Sequence, residues 1–145
     1  MYFNCGNEIQ VNVPALGSEY NPSFSSNGGD VIKGSKAGQI TIIPKSKKVD
    51  LNVSNAGNFI GSQSFGVRQI PAPEIKPSIK GKAIDLKNGI PANTPSISLD
   101  AIADASFAEF LPKDARFQVR EAEVILARAG RGVATRRIKN KNINL

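Results

Sequence analysis

Short alternating runs, each cut off by turn residues, decide what the first half of this chain can become. Ile9, Val11 and Val13 alternate with polar residues until Pro14 stops the pattern. Gln39–Ile43 is strand-like and ends at Pro44, and Val49, Leu51 and Val53 alternate cleanly. Phe59–Val67 makes a last run, with Gly61 as a bulge position. Val31 and Ile32 form a short apolar pair, and Tyr20 and Phe24 can face the same core across Asn21-Pro22. The breaks are turn chemistry: SSNGGD over residues 25–30, then 34–38, 45–48 and 54–57. About seven short strands at roughly 8–12-residue spacing predict an antiparallel β-sandwich over residues 1–70. With no tryptophan and one cysteine, "immunoglobulin-like" describes architecture only.

The run into Gln69-Ile70 meets PAPEIKP, with Pro71, Pro73 and Pro77. Each proline removes a ladder donor and pushes its predecessor to extended geometry. Residues 71–77 therefore read as a stiff, extended connector. Residues 78–145 read as a second, mostly β module with at most one short helix. Ile79–Leu86 holds a short strand pattern and 87–95 a loop. Ser98 is placed to cap a short helix over Leu99–Ala103. Residues 114–129 fit helix and strand equally by composition. The alternation at Phe117 and Val119 changes phase near Arg120-Glu121, as in a bulged strand. AGRG then makes the bend of a hairpin over 115–140, with Gly130 and Gly132 flanking Arg131, and Val133–Leu145 reads as strand. On that strand Arg131, Arg137, Lys139 and Lys141 would line one side while Val133 and Ile143 face the core.

A half of this size would bury only about 60% of its unfolded surface and be marginal alone. Two such halves are expected to lean on each other or on a second copy. Both ends read as interior to a longer chain: MYFNCGNEIQ already looks like strand, and KNINL stops mid-pattern, as in a truncated module. An export signal or membrane anchor would then lie outside this piece.

The charge of +7 is uneven. Residues 1–75 carry six Lys/Arg against five Asp/Glu, and residues 76–145 carry 13 against seven. Residues 124–145 hold Arg128, Arg131, Arg136, Arg137, Lys139 and Lys141 and no acid. Three readings compete for this stretch: a solvated face, a docking patch for an acidic protein surface, and a nucleic-acid site. The last would interleave aromatics with the charge, and no aromatic follows Phe117. A membrane-surface contact is the remaining reading. Nucleic acid is therefore not an expected partner.

Catalytic chemistry has little to work with. There is no histidine, so the commonest general base and metal ligand is missing. Cys5 is the one thiol and sits in an apolar patch with Tyr2 and Phe3, as a small buried hydrophobe would. AGRGVATRR lacks the GK[ST] of a phosphate-binding loop. Glu121 and Glu123 share a face on a strand, but beside Arg120 and Arg128 they read as a solvated surface. No catalytic, cofactor or metal residue is assigned, and the chain reads as a non-enzyme.

Three stretches in order resemble one family. NEIQVNVP (7–14), IGSQSFGVRQIPAPEIKP (60–77) and SLDAIADASFAEFLPKDARFQVREAEV (98–124) resemble the C-terminal periplasmic region of the GldM/PorM proteins of type IX secretion and gliding motility. YFNCGNE departs from the turn usual there. The resemblance implies a structural, dimeric segment of a periplasmic shaft, anchored elsewhere in the inner membrane and meeting a motor subunit there. It implies docking of the C-terminal end on periplasmic ring proteins, with Arg128, Arg131, Arg136, Arg137 and Lys139 as candidate contacts. It favours strand over helix for 114–129. The alternative from another class is a secreted β-sandwich for adhesion or glycan binding, which would normally expose aromatics on one face.

Overall fold

The computed structural model describes residues 1–145 except Asn88, Ala92, Asn140 and Leu145. The chain is mainly β, with several antiparallel sheets and one short helix. It divides into two compact units. One comprises Met1–Ile70 with Glu109–Asp114; the other comprises Pro71–Ala108 with Ala115–Leu145.

In the first unit β1 (Asn7–Gln10), 3-10 turns (Pro14–Glu19), β2 (Pro22–Asn27), β3 (Gly29–Lys33), β4 (Gln39–Pro44), β5 (Lys48–Asn55) and β6 (Asn58–Gly66) follow one another. They form two antiparallel three-stranded sheets, in the orders β1-β4-β3 and β2-β5-β6. The alternation in sequence becomes the core directly. Ile40 and Ile42 from one sheet meet Val49, Leu51 and Val53 from the other, and Phe24, Val31 and Phe65 pack around them.

The stretch 25–30 does not turn as a block. Ser25, Ser26 and Asn27 continue β2 against Asn52, Leu51 and Asp50 of β5. The crossing to the other sheet falls on Gly28, which has φ +92 and where a Cβ would meet the Lys48 carbonyl oxygen at 2.3 Å. One glycine does what a loop was expected to do. In β6 the register slips beside Val53, so that Ile60 is skipped and Gly61 pairs Val53.

Asn7 is 1% exposed and organises the start of the chain. Its Nδ2 donates to the carbonyl oxygens of Tyr2 (3.0 Å), Cys5 (2.9 Å) and Ile42 (3.3 Å), and its Oδ1 accepts from the Tyr2 N–H (2.9 Å). Cys5 beside it is buried, and burial, then the nearby Asp114 carboxylate, push its thiol pKa up. The Tyr20 hydroxyl, raised in pKa by burial, donates to the Val11 carbonyl at 2.6 Å. Residues 109–114 belong to this unit: the Phe110 ring lies 6.2 Å from that of Tyr2, and Lys113 reaches Glu8 at 3.6 Å.

The second unit holds β7 (Glu74–Ile79), β8 (Lys82–Ala83), β9 (Ser96–Ile102), most of α1 (Ala105–Phe110), β10 (Ala122–Arg128), β11 (Arg131–Ile138) and β12 (Asn142–Asn144). One sheet runs β12-β9-β7-β8 and a separate ribbon pairs β10 with β11. Only Pro71–Pro73 of the proline-rich stretch lies outside strand, because β7 begins at Glu74 and includes Pro77. Pro77 is tolerated for a geometric reason. It lies opposite Leu99, whose N–H points away to the Lys141 carbonyl (2.8 Å), so Pro77's missing N–H faces the β8 side. There its carbonyl accepts from Ile84 (3.1 Å), and β8 is only two residues long.

The expected helix over 99–103 is strand instead. Ser96–Ile102 pairs with β7 and β12, and the Ser98 hydroxyl meets Asn142 Oδ1 at 3.0 Å rather than capping. The helix starts six residues later, at Ala105. Asp104 caps it, its Oδ1 accepting from the Phe107 N–H at 3.0 Å. Phe107 is fully buried, with Phe117 6.2 Å away between ring centres. The loop expected over 87–95 and the strand expected to run to 145 include positions outside the described residues.

Candidate docking surface

The basic stretch builds the β10–β11 ribbon. Ala129 and Gly130, at φ +50 and +76, form its two-residue turn, the geometry that suits a tight hairpin. The bend is thus Ala129-Gly130, and Arg131 already belongs to β11. Register then assigns the faces. Arg128 lies opposite Arg131, Arg136 opposite Val124, and Arg137 opposite Glu123. A slip beside Leu126-Ala127 skips Val133. Because of that slip Arg131 and Arg137 take opposite faces, where uninterrupted alternation would align them. Arg128, Arg131 and Arg136 share one face with Val124 and Leu126; Arg137 shares the other with Glu123 and Ile125. Lys139 lies past the end of β11 and is exposed, as is Lys141.

Arg137 is engaged by Glu123 (3.5 Å) and Glu121 (3.8 Å), an exposed pairing of small worth. Among the described residues Arg128, Arg131 and Arg136 have no carboxylate within ion-pair distance. Apolar side chains accompany them: Ile125, Leu126 and Val133 are 57%, 50% and 58% exposed. Val133 does not face a core, whereas Ile143, 2% exposed, pairs Ile97 in the other sheet. The ribbon pairs with no other described strand. A two-stranded ribbon with apolar residues on both faces is marginal in water and suited to a partner that covers it.

Elsewhere the unit has an open groove of about 610 Å³ beside β7, lined by Ile75, Pro77, Ile84 and Leu86 among others. Glu74, Lys76, Asp85 and Lys87 at its margin mix both signs. Among the described residues no group of three His, Cys, Asp or Glu could hold a metal. Asp50 has its carboxyl below the usual range, first through the Ser64 hydroxyl, then through Lys48, which lies 2.9 Å away. Its partners explain that shift as surface pairing within the β5–β6 sheet. Sequence reasoning found the charge of the ribbon but missed Ile125 and Leu126, whose exposure follows from the ribbon standing apart from the four-stranded sheet.

Fold and surface together define a mainly β chain whose conspicuous surface is a basic, apolar ribbon. Residues 1–68 match the family model of the GldM third domain. The match supports a GldM/PorM family C-terminal region over those residues. That family is a structural component of the type IX secretion and gliding machinery, periplasmic and anchored in the inner membrane in the full-length protein. No curated protein matches the chain. Among the described residues no helix is long and apolar enough to cross a membrane.

Proposed function

We propose that this chain is a non-catalytic, force-bearing periplasmic segment of the secretion and gliding machinery, working as a homodimer. It is part of a shaft between the inner-membrane motor, met through other parts of the protein, and the ring under the outer membrane. The observation that carries the reading is the GldM third-domain match over residues 1–68. In this reading an immunoglobulin-like sandwich in the first unit is a structural link. The Pro71–Pro73 stretch is a stiff connector, and Pro77 belongs to the strand that follows it. The ribbon docks on the ring proteins.

Several features support the docking part. Arg128, Arg131 and Arg136 stand on one face, without carboxylate partners among the described residues, beside exposed Leu126. Charge of one sign steers an acidic partner, and the apolar side chains supply area to bury. The test is capture of the periplasmic ring proteins by the purified chain. Arg136→Glu with Arg137→Glu should weaken capture at least tenfold and make the residue less salt-dependent. Unchanged capture removes those arginines from the docking role.

A further inference from the structure

The outer edge of β6 is built differently from the other strand edges of the first unit. β6 is nine residues long, the longest strand of that unit, and pairs only with β5. No charged residue occurs from Leu51 to Val67. Natural sheets normally protect an edge with charge, proline or brevity. On the far side of the same sheet β2 starts with Pro22, and in the other sheet β3 carries Asp30 and Lys33. Apart from the slip at Ile60, β6 has no such device.

Its free hydrogen-bonding groups can be assigned. The Val67 N–H donates to the Lys47 carbonyl at 3.0 Å, so odd-numbered residues from Gln63 onward face β5. Even-numbered residues face out. The Gly66 carbonyl accepts from the Met1 nitrogen (3.2 Å), and the Arg68 N–H donates to the Met1 carbonyl (2.8 Å), so Met1 covers that end. The Ser64 carbonyl accepts from Gln63 Nε2 at 3.1 Å. Among the described residues the Ser62 N–H and carbonyl and the Ser64 N–H remain open at the centre of the edge. Phe59 and Ile60, 67% and 42% exposed, flank it.

We propose that this edge is where a second copy of the chain binds, β6 against β6, antiparallel. The inference deepens the dimer reading above by naming its surface. Charge selects the occupant: copies carrying +7 each repel over most approaches, and this neutral strand meets its own image without like charges opposed. Ser and Gln side chains are equally suited to face themselves. A two-fold axis near Ser62-Gln63 uses both edges at once, so association closes at two and leaves Phe59 and Ile60 beside the far end of the partner's strand. The two three-stranded sheets become one of six strands.

Sedimentation or light scattering on the purified chain tests this. The wild-type mass should approach twice 15.4 kDa as concentration rises. Ser62→Pro removes an outward N–H that no internal bond uses, so the fold stays and the mass falls by half. Ser62→Lys, which keeps the N–H but sets like charges across the axis, should do the same with an unchanged circular dichroism spectrum. Ile32→Lys, on the outer strand of the other sheet, should leave the dimer intact. A dimer that survives both Ser62 variants overturns the β6 assignment while leaving the dimer reading standing. So does a dimer lost equally in Ile32→Lys. A wild-type chain monomeric at every concentration overturns both.

Discussion

Replacing Asn7 by alanine should unfold the first unit earlier than any change of similar size on its surface. The amide makes four hydrogen bonds inside a site that is 1% exposed. Alanine leaves the Tyr2 N–H and the Tyr2, Cys5 and Ile42 carbonyls without that partner. At about 1 kcal/mol net per bond, with partial relaxation and water entry, the loss is about 2–4 kcal/mol. For a unit of this size that lowers Tm by roughly 10–20 °C. Asn7→Asp separates hydrogen bonding from cavity formation. One carboxylate oxygen can still accept from the Tyr2 N–H, but the other replaces Nδ2 among three carbonyl oxygens, which disfavours the charged form. The folded-state pKa of the new group is thus raised. A raised carboxyl costs least below about pH 4, where folded and unfolded chains are both protonated. The penalty then grows by about 1.4 kcal/mol per pH unit, up to the folded pKa. Thermal scans from pH 3 to 8, each variant against wild type, make the check. An alanine shift below about 3 °C, or an Asn7→Asp penalty flat in pH, would refute this view of the site.

Other outcomes are open to measurement. Phe107→Ala empties a fully buried site beside Phe117 and should cost about 3–5 kcal/mol, seen as early unfolding of the second unit in native-state hydrogen exchange. Asp104→Ala removes the helix cap, and urea melts should show about 1 kcal/mol of lost stability. Asp50, whose folded pKa is depressed, contributes above the ordinary carboxyl range and loses that contribution as pH falls through its folded value. Ser64→Ala should move its titration back up, as followed by carboxyl carbon NMR. Cys5, 3% exposed, should react with a thiol reagent only after denaturation.

The strands of the first unit were legible because their apolar period is strict. Val49, Leu51 and Val53 could face only one way, and the cluster with Ile40 and Ile42 follows. Local pattern failed where a distant partner decides. Ser98 looks like a helix cap until β7 and β12 claim Ser96–Ile102 from both sides, leaving Asp104 to do the capping. Pro77 looks like a strand breaker, yet its missing donor faces the side where β8 runs out. In the ribbon, composition gave the arginines, but a slip at Val133 decides which share a face. The open groups of β6 depend on ladder parity, which a single sequence does not display.

Docking by the ribbon is tested most directly inside the full-length protein in cells. A photo-crosslinking amino acid at Leu126, on the face of Arg128, Arg131 and Arg136, should join the protein to a periplasmic ring component. The same group at Ile32, on the first unit, should not. Equal crosslinking at both positions, or none at Leu126 while gliding and secretion continue, would contradict a ribbon that holds the ring.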